Sequence, residues 1–351
     1  MKVYLSALFV FVCSLCISPL YAQQSSSLSA NDLLFGSEEP LKVELVCNFK
    51  ALLKDRDEER EYHPATLTYT DEHGQKVVME YLKLRTRGNF RRKRATCAFP
   101  PIRLNFVKDQ TEGTLFEGQD KLKLVTHCQN KSSAYQQYVL QEYLIYKMYN
   151  LLTPYSFRVR LLDITYVDSA GKYEPMNKHA FIIEDEDLMA ERLGGKMVEI
   201  PGISPLSLDQ EISSRLAIFQ FMVGNTDFSL PYMHNVKLLQ IPGQQAIIPI
   251  PYDFDWSGLI SAPYAVPNET LGIKSVRERV FRGFCRPKEE FKADIQLFID
   301  KNPQLLAVVS EFPLLNEKTK KRTLKYLQSF FNIIESPSAC QREIFQACRE
   351  I

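Results

Sequence analysis

Apolar residues change their spacing part-way along this chain, and that change limits what it can fold into. Leu41, Val43, Leu45, Cys47 and Phe49 alternate with Lys42, Glu44 and Asn48, the period of a half-buried strand. Residues 65–70 and 75–87 read as two more strands about the turn Asp71-Glu72-His73-Gly74. Ile102, Leu104 and Phe106 alternate in the same way, and 121–126 is a short strand. At 134–152 the apolar spacing becomes three and four residues, ending before Pro154, which predicts a helix. Strands follow at 157–167 and 179–184, joined near Gly171, with a hairpin at 233–240 and 246–252 around Pro242-Gly243. Between them, Ser207-Leu208-Asp209-Gln210 is a capping-box pattern before a helical run to Val223. From 287 to the end the pattern is helical, with Phe330, Phe331, Ile333 and Ile334 expected in the core. Strands first and helices later predict an α+β chain, with a sheet-rich N-terminal lobe over 39–184 and a helix-rich C-terminal lobe over 185–351.

Composition excludes several classes. The 351 residues are 45% hydrophobic and 24% charged, unlike a disordered chain. With 43 basic and 42 acidic residues, no global field selects a polyanionic or polycationic partner. Residues 1–22 read as a signal peptide: Lys2, an apolar run from Val3 to Ile17, a break at Ser18-Pro19 and a small residue at Ala22. An uncleaved anchor is the alternative, although the run is short for a membrane span. No later stretch is long and apolar enough to span, so the expectation is an exported chain in the periplasm or at the cell surface, with no membrane span after cleavage. Residues 23–38 are Ser-rich and read as a flexible leader.

Six cysteines remain beyond the signal peptide: Cys47, Cys97, Cys128, Cys285, Cys340 and Cys348. An even count in an exported chain points to disulfides, with buried free thiols as the alternative. None has CxxC spacing and the five histidines are scattered, which argues against a structural zinc site.

Three constellations can carry chemistry. The first runs from Leu84 to Arg94 (LRTRGNFRRKR), where Gly88 lets a backbone approach an anion and arginines suit phosphate oxygens. Alternation puts Lys83, Arg85 and Arg87 on one face. Arg91 to Arg94 read as a solvated charged loop, and with one aromatic residue in the segment no nucleic-acid partner is expected. The second is Gly224-Asn225-Thr226-Asp227 followed by His234-Asn235, and the third is Pro251-Tyr252-Asp253-Phe254-Asp255-Trp256-Ser257-Gly258. Asp227 lies past an apolar helix, and Asp253 and Asp255 lie past an apolar strand, where loops on a rigid scaffold build sites. Their hard oxygens suit Mg²⁺ or Mn²⁺ beside phosphate. Asp227 as base with Asn235 and Asp253 as metal ligands is a kinase-type set, and Asp255 is a further ligand or a neighbouring support. The alternative is that Asp253 and Asp255 only cap a turn.

LRTRGN at 84–89, KLKL at 121–124, FIIEDED at 181–187, GNTD at 224–227, HN at 234–235 and PYDFDWSG at 251–258 follow one another as in the spore-coat CotH kinase-like family. The chain resembles a secreted branch of that family, of the Bacteroidetes type, over about residues 75–260. The resemblance implies an atypical protein-kinase-like two-lobe fold that moves the γ-phosphate of ATP, with Mg²⁺ or Mn²⁺, to Ser or Thr of an exported protein. By that likeness Asp227 matches the catalytic Asp, and Asn235 and Asp253 match the metal ligands. Arg87, Gly88 and Asn89 match the phosphate-side loop, and Glu184 falls near the nucleotide where the chain crosses between lobes. One departure stands out. The family is Lys-rich on the strand after RGN, whereas here the stretch is Cys97-Ala98-Phe99-Pro100-Pro101-Ile102-Arg103; Arg103 or Lys123 is the candidate substitute cation, with a solvated lysine on the face shared by Lys121 and Lys123 as the alternative. Cys97 and Cys128 flank this region and are expected to pair, as are Cys285 and Cys348. Competing readings are a catalytically silent kinase-like scaffold binding a surface protein or polysaccharide, and a module binding polyanions through 85–94. The motifs of serine hydrolases, zincins and Walker-type nucleotide enzymes are missing, while glycosidase chemistry between two carboxylates stays open.

Overall fold

The computed structural model describes residues 29–350. The expected signal peptide and the first part of the leader lie outside them. Among the described residues no helix is long and apolar enough to cross a membrane.

The alternating segments are strands: β1 (Leu41–Cys47), β2 (His63–Thr70), β3 (Lys76–Thr86), β4 (Ile102–Asn105), β5 (Lys121–Val125), β6 (Val159–Asp168) and β7 (Met176–Ile183). They close into a barrel in the order β1-β2-β3-β4-β5-β7-β6, sealed by a parallel pairing of β1 with β6 from Leu41↔Leu162 to Cys47↔Asp168. Closure removes both sheet edges. One face of each strand points inward, so Leu45, Leu67, Leu84, Ile102, Leu104, Leu122, Leu124 and Ile164 fill the barrel. Phe49 does not continue β1. Asn48 caps a one-turn helix α2 (Phe49–Leu52), whose Phe49 turns back over the barrel end.

The Ser-rich leader is shorter than expected, because α1 (Ala30–Gly36) lies within it. Ser29 and Asp32 form a capping box, and Leu34 and Phe35 bury their side chains in the barrel core. A short α3 (Lys108–Thr111) follows β4.

The second core lies outside the barrel. Val125, Val159, Leu161, Phe181 and Ile183 point outward from β5, β6 and β7 and pack against α4 (Ser133–Asn150), α6 (Gln210–Val223), α7 (Lys288–Ser310) and α8 (Glu317–Ile334). This explains why Val159 to Leu162 are buried consecutively: that end of β6 has apolar neighbours on both faces. Helix α4 therefore shares its core with the C-terminal helices, so the packing crosses the boundary expected at 184. Phe330, Phe331 and Ile334 are core residues of α8, as expected. The acidic run at 185 forms α5 (Glu186–Arg192), and the chain then adds β8 (Lys196–Val198) to β9 (Val236–Gln240) and β10 (Ile248–Pro251) in a second sheet of order β10-β9-β8. A short α9 (Pro337–Cys340) runs directly into a π-helical turn at Gln341–Phe345.

Cys97–Cys128 and Cys285–Cys348 are disulfide-bonded, as expected, and Cys47 and Cys340 are buried free thiols. The first bond closes a loop of separation 31 beside the barrel end. Cys97→Ser with Cys128→Ser should cost about 3–4 kcal/mol of stability, read from urea unfolding; an unchanged midpoint would show that the loop is held by packing alone.

His127, fully buried next to that bond, stacks on Phe99 with ring centroids 4.7 Å apart. Burial lowers its pKa to about 4. The native state therefore keeps His127 neutral while the unfolded chain protonates near the usual histidine value, so stability falls as pH drops from about 6.5 to about 4. The full effect is about 3 kcal/mol. His127→Phe should flatten the acid limb of the stability–pH curve over that window.

Candidate functional site

The β9–β10 hairpin sets out the acidic side. Val236 pairs with Pro251 at its base, and just beyond it the Tyr252 N–H donates to the Asn235 carbonyl at 3.0 Å. Asn235 and Asp253 both leave the strands with positive φ, 53° and 61°. Asn and Asp tolerate that conformation better than other side-chain-bearing residues, and it turns the chain sharply out of the ladder. Asn235 Nδ2 then donates to Asp227 Oδ2 at 3.0 Å and to the Asp227 carbonyl at 2.7 Å. Asp227 Oδ1 meets His234 Nε2 at 3.0 Å, and the Asp227 N–H is held by Asn225 Oδ1.

Two glycines lock the remaining motif against this one. Gly224 ends α6 with φ of 65°, and a Cβ there would lie 2.0 Å from the Tyr326 hydroxyl. A Cβ on Gly258 would lie 2.2 Å from the Val276 carbonyl. Without side chains the two strands of loop meet directly: Gly258 N–H donates to Gly224 O at 2.9 Å and Leu259 N–H to Val223 O at 3.0 Å. The segments at 224–227, 234–235 and 253–258 are thus one assembly. The N-cap of α6 is Asp209; Ser207, expected to start the capping box, ends a preceding 3₁₀ turn.

The stretch 91–94 is only partly the solvated loop expected. Lys93 and Arg94 are exposed, but Arg91 and Arg92 are buried. Arg91 reaches Asp253 at 2.9 Å, Asp255 at 3.1 Å and Glu142 of α4 at 3.4 Å. One guanidinium cannot neutralise three carboxylates, so protons make up the difference. Burial, with the Asp253 and Glu142 charges added, pushes Asp255 well above the usual carboxylate range despite Arg91. Burial also raises Glu142, to about 7, against Arg91. Burial opposes the charge on Asp253 as well, but Arg91 and Arg87 outweigh it and hold its carboxyl below the usual range. Asp255, expected as a further metal ligand or a neighbouring support, is buried against the Arg91 guanidinium.

The cationic side comes from the outer face of the barrel. Register places Arg85 opposite Arg103 and Arg103 opposite Lys123, a row across β3, β4 and β5. Lys123 Nζ lies 3.4 Å from Glu186 and 5.1 Å from the centre of the Tyr252 ring. Burial lowers the Lys123 pKa, against the pull of Glu186. Lys237 of β9 shares the same Glu186 carboxylate at 3.0 Å. Neither Glu186 nor Lys237 stood out in the sequence; the acidic run FIIEDED drew attention to Glu184. Glu184 is fully buried and committed within the protein. It accepts from Arg192 at 2.8 and 2.9 Å, from Asn31 at 2.8 Å and from the Arg158 N–H at 3.0 Å. Arg87 is half-buried, with its N–H on the Pro101 carbonyl, and its charge is felt at Asp253. Gly88 takes a φ of 88° and turns the chain, so that Asn89 opens into an exposed groove with Arg92 and Lys93.

Asp227 opens onto a cleft of about 550 Å³, with His234, Tyr232, Trp256 and Arg282 around it. Among the described residues no group of three or more His, Cys, Asp or Glu side chains is arranged to hold a metal ion. The oxygen set here is two carboxylates and one amide, Asp227, Asp253 and Asn235. Asn235 Nδ2 is spent on Asp227, which leaves its Oδ1 free to accept. That donor chemistry fits a hard divalent cation.

No family model and no curated protein matches the chain. Among solved structures it is similar to the Golgi casein kinase, at 8% identity and a TM-score of 0.32 over 89% of this chain and 78% of that one. A Golgi casein kinase structure with Mn/ADP bound gives 9% identity and a TM-score of 0.32 over 87% and 74%. A superposition at that level does not define a shared fold.

Arg91→Met should leave the Glu142 and Asp253 carboxylates without their shared cation and cost about 3–5 kcal/mol in urea unfolding at pH 8. The deficit should shrink at pH 5, because Glu142 and Asp253 can then take up protons. A pH-independent loss would show that Arg91 acts through packing rather than charge.

Proposed function

We propose that this chain is an exported kinase-like phosphotransferase of the CotH type, which moves the γ-phosphate of ATP to a Ser or Thr hydroxyl of an exported protein. The observation that carries this reading is the direct Asp227–Asn235 contact, joined through the Tyr252 N–H to the turn of Asp253, whose carboxyl feels the charges of Arg87 and Lys123. In this reading the barrel is the lobe that faces the phosphates and the helix-rich part carries the acidic residues. Two disulfides fit an oxidising compartment.

Each residue then has a defined task. Asn235 and His234 hold the Asp227 carboxylate in place, and Asp227 accepts the proton that leaves the acceptor hydroxyl as its oxygen bonds to the γ-phosphorus and the bond from that phosphorus to the bridging oxygen breaks, releasing ADP. Lys123, kept in position by Glu186, and Arg87 bind phosphate oxygens. Asn235 and Asp253 would hold Mg²⁺ or Mn²⁺, which when bound neutralises phosphate charge.

A second reading, a silent scaffold for a surface protein or polysaccharide, draws on the Arg91–Asp253 ion pair. It already commits one oxygen of the proposed metal ligand.

Thermal shift of the mature protein separates the two. The phosphotransferase reading expects a saturable rise in Tm with ATP plus MnCl₂, lost in Asp253→Ala. Asp227→Ala should keep the shift and abolish label transfer from γ-labelled ATP to a Ser-containing acceptor. No shift in the wild-type protein would favour the scaffold.

A further inference from the structure

A cavity of about 540 Å³ opens at the end of the barrel where β1 and β6 finish, lined by α2, the 94–99 segment and the start of β7. It lies in the size range of small-molecule sites. Its inner wall is aromatic. Phe49 lies against Phe99 and Tyr166 with centroids 5.6 Å apart in each case, and Phe99 lies 4.7 Å from Tyr166. Tyr166 is 2% exposed, and its hydroxyl has no hydrogen-bond partner in the protein. Burial raises the pKa of that hydroxyl, so it stays a neutral donor.

The mouth is basic. Lys50, Lys54, Arg56 and Arg94 line it, and none of the four lies within ion-pair distance of a carboxylate among the described residues. Arg56 spends its donors on carbonyls, Leu53 at 2.7 Å, Cys97 at 2.6 Å and Ala98 at 2.5 Å, so its position is fixed while its charge is unanswered. Two acidic residues also line the cavity. Asp168 is occupied by the Phe49 and Lys172 N–H groups at 2.8 and 2.7 Å, and Glu174 is exposed at the rim. An aromatic floor and an excess of positive charge at the mouth, with Arg56 held in place, select an anion with a flat apolar body.

We propose that this cavity binds a small aromatic anion, a carboxylate or sulfonate on a ring system, with the ring against Phe49 and Phe99 and the acid group toward Lys54, Arg56 and Arg94. The site is separate from the Asp227 cleft and does not depend on phosphotransfer.

Calorimetric titration of the mature protein with 2-naphthalenesulfonate tests it. The expected result is one saturable site per chain, with uncharged 2-naphthol binding at least about tenfold more weakly. Lys54→Glu with Arg94→Glu, both exposed in the wild type, should weaken the sulfonate by at least about tenfold while leaving the unfolding midpoint in place. Ala98→Trp, which fills the mouth from an exposed position, should abolish binding. No saturable heat with the wild-type protein, or equal binding of the sulfonate to the charge-reversed and filled variants, would overturn the assignment.

Discussion

Arg91 sits among Glu142, Asp253 and Asp255, and three separate parts of the chain meet at its guanidinium. It comes from the loop after β3, Glu142 from the middle of α4, and the two aspartates from the turn after β10. Burying four ionisable groups is expensive, and an apolar cluster of the same volume would be no less stable. What the arrangement provides is position. Its five donors lie in one plane, so they fix the turn at 253–255 against α4 and the barrel at the same time. The Asp253 N–H adds a further tie, to the Tyr146 hydroxyl of α4 at 2.8 Å. Helix α4 is thus the spine between the barrel and the acidic loops.

The second constraint is steric. Gly224 and Gly258 let two loops run closer than any side chain would allow, and Tyr326 of α8 fills the space that a Cβ would need. Tyr326 is itself held between Arg277 and Arg279, with guanidinium carbons 4.7 and 3.8 Å from the ring centre. The C-terminal helices therefore reach the acidic assembly through one aromatic side chain. They build its floor rather than an independent unit.

Period and turn chemistry made most of the elements legible. Alternation located the barrel strands to within a few residues, and helical spacing located α4, α6 and α8. Barrel closure had no local signal, because the parallel β1–β6 pairing joins segments more than a hundred residues apart and depends on both being strands of matched length. Helix α1 was hidden by the serines that precede it, although Leu34 and Phe35 supply the apolar pair that docks it. Of the candidate site, the contact between Asp227 and Asn235 follows a short-range pattern. Arg91 was unreadable for the opposite reason: a run of cations is usually solvated, and only partners at 142, 253 and 255 turn this one inward. Glu184 and Glu186 differ by two residues in an acidic run. Which of them faces Lys123 is decided by the N-cap at Asp185, which ends the strand and starts α5 between them.

The charge balance around Asp253 ties these features together. Arg87, Arg91, Lys123 and Lys237 stand near it, and Asp253, Asp255, Glu142 and Glu186 oppose them. Counted as formal charges, the two sets cancel. Burial breaks the tie, because it favours the proton on Asp255 and raises Glu142 to about 7, so that Glu142 is only partly ionised at neutral pH, while Asp253 stays ionised. The wall is then net positive at neutral pH, with the surplus on the barrel side and the one firmly ionised carboxylate at the turn. In the proposed reading such a wall suits a polyanion that brings its own cation: the surplus would face the anion, and Asp253 with Asn235 would face the metal. An uncharged sugar would gain nothing from that surplus, so the same reading disfavours one in this position.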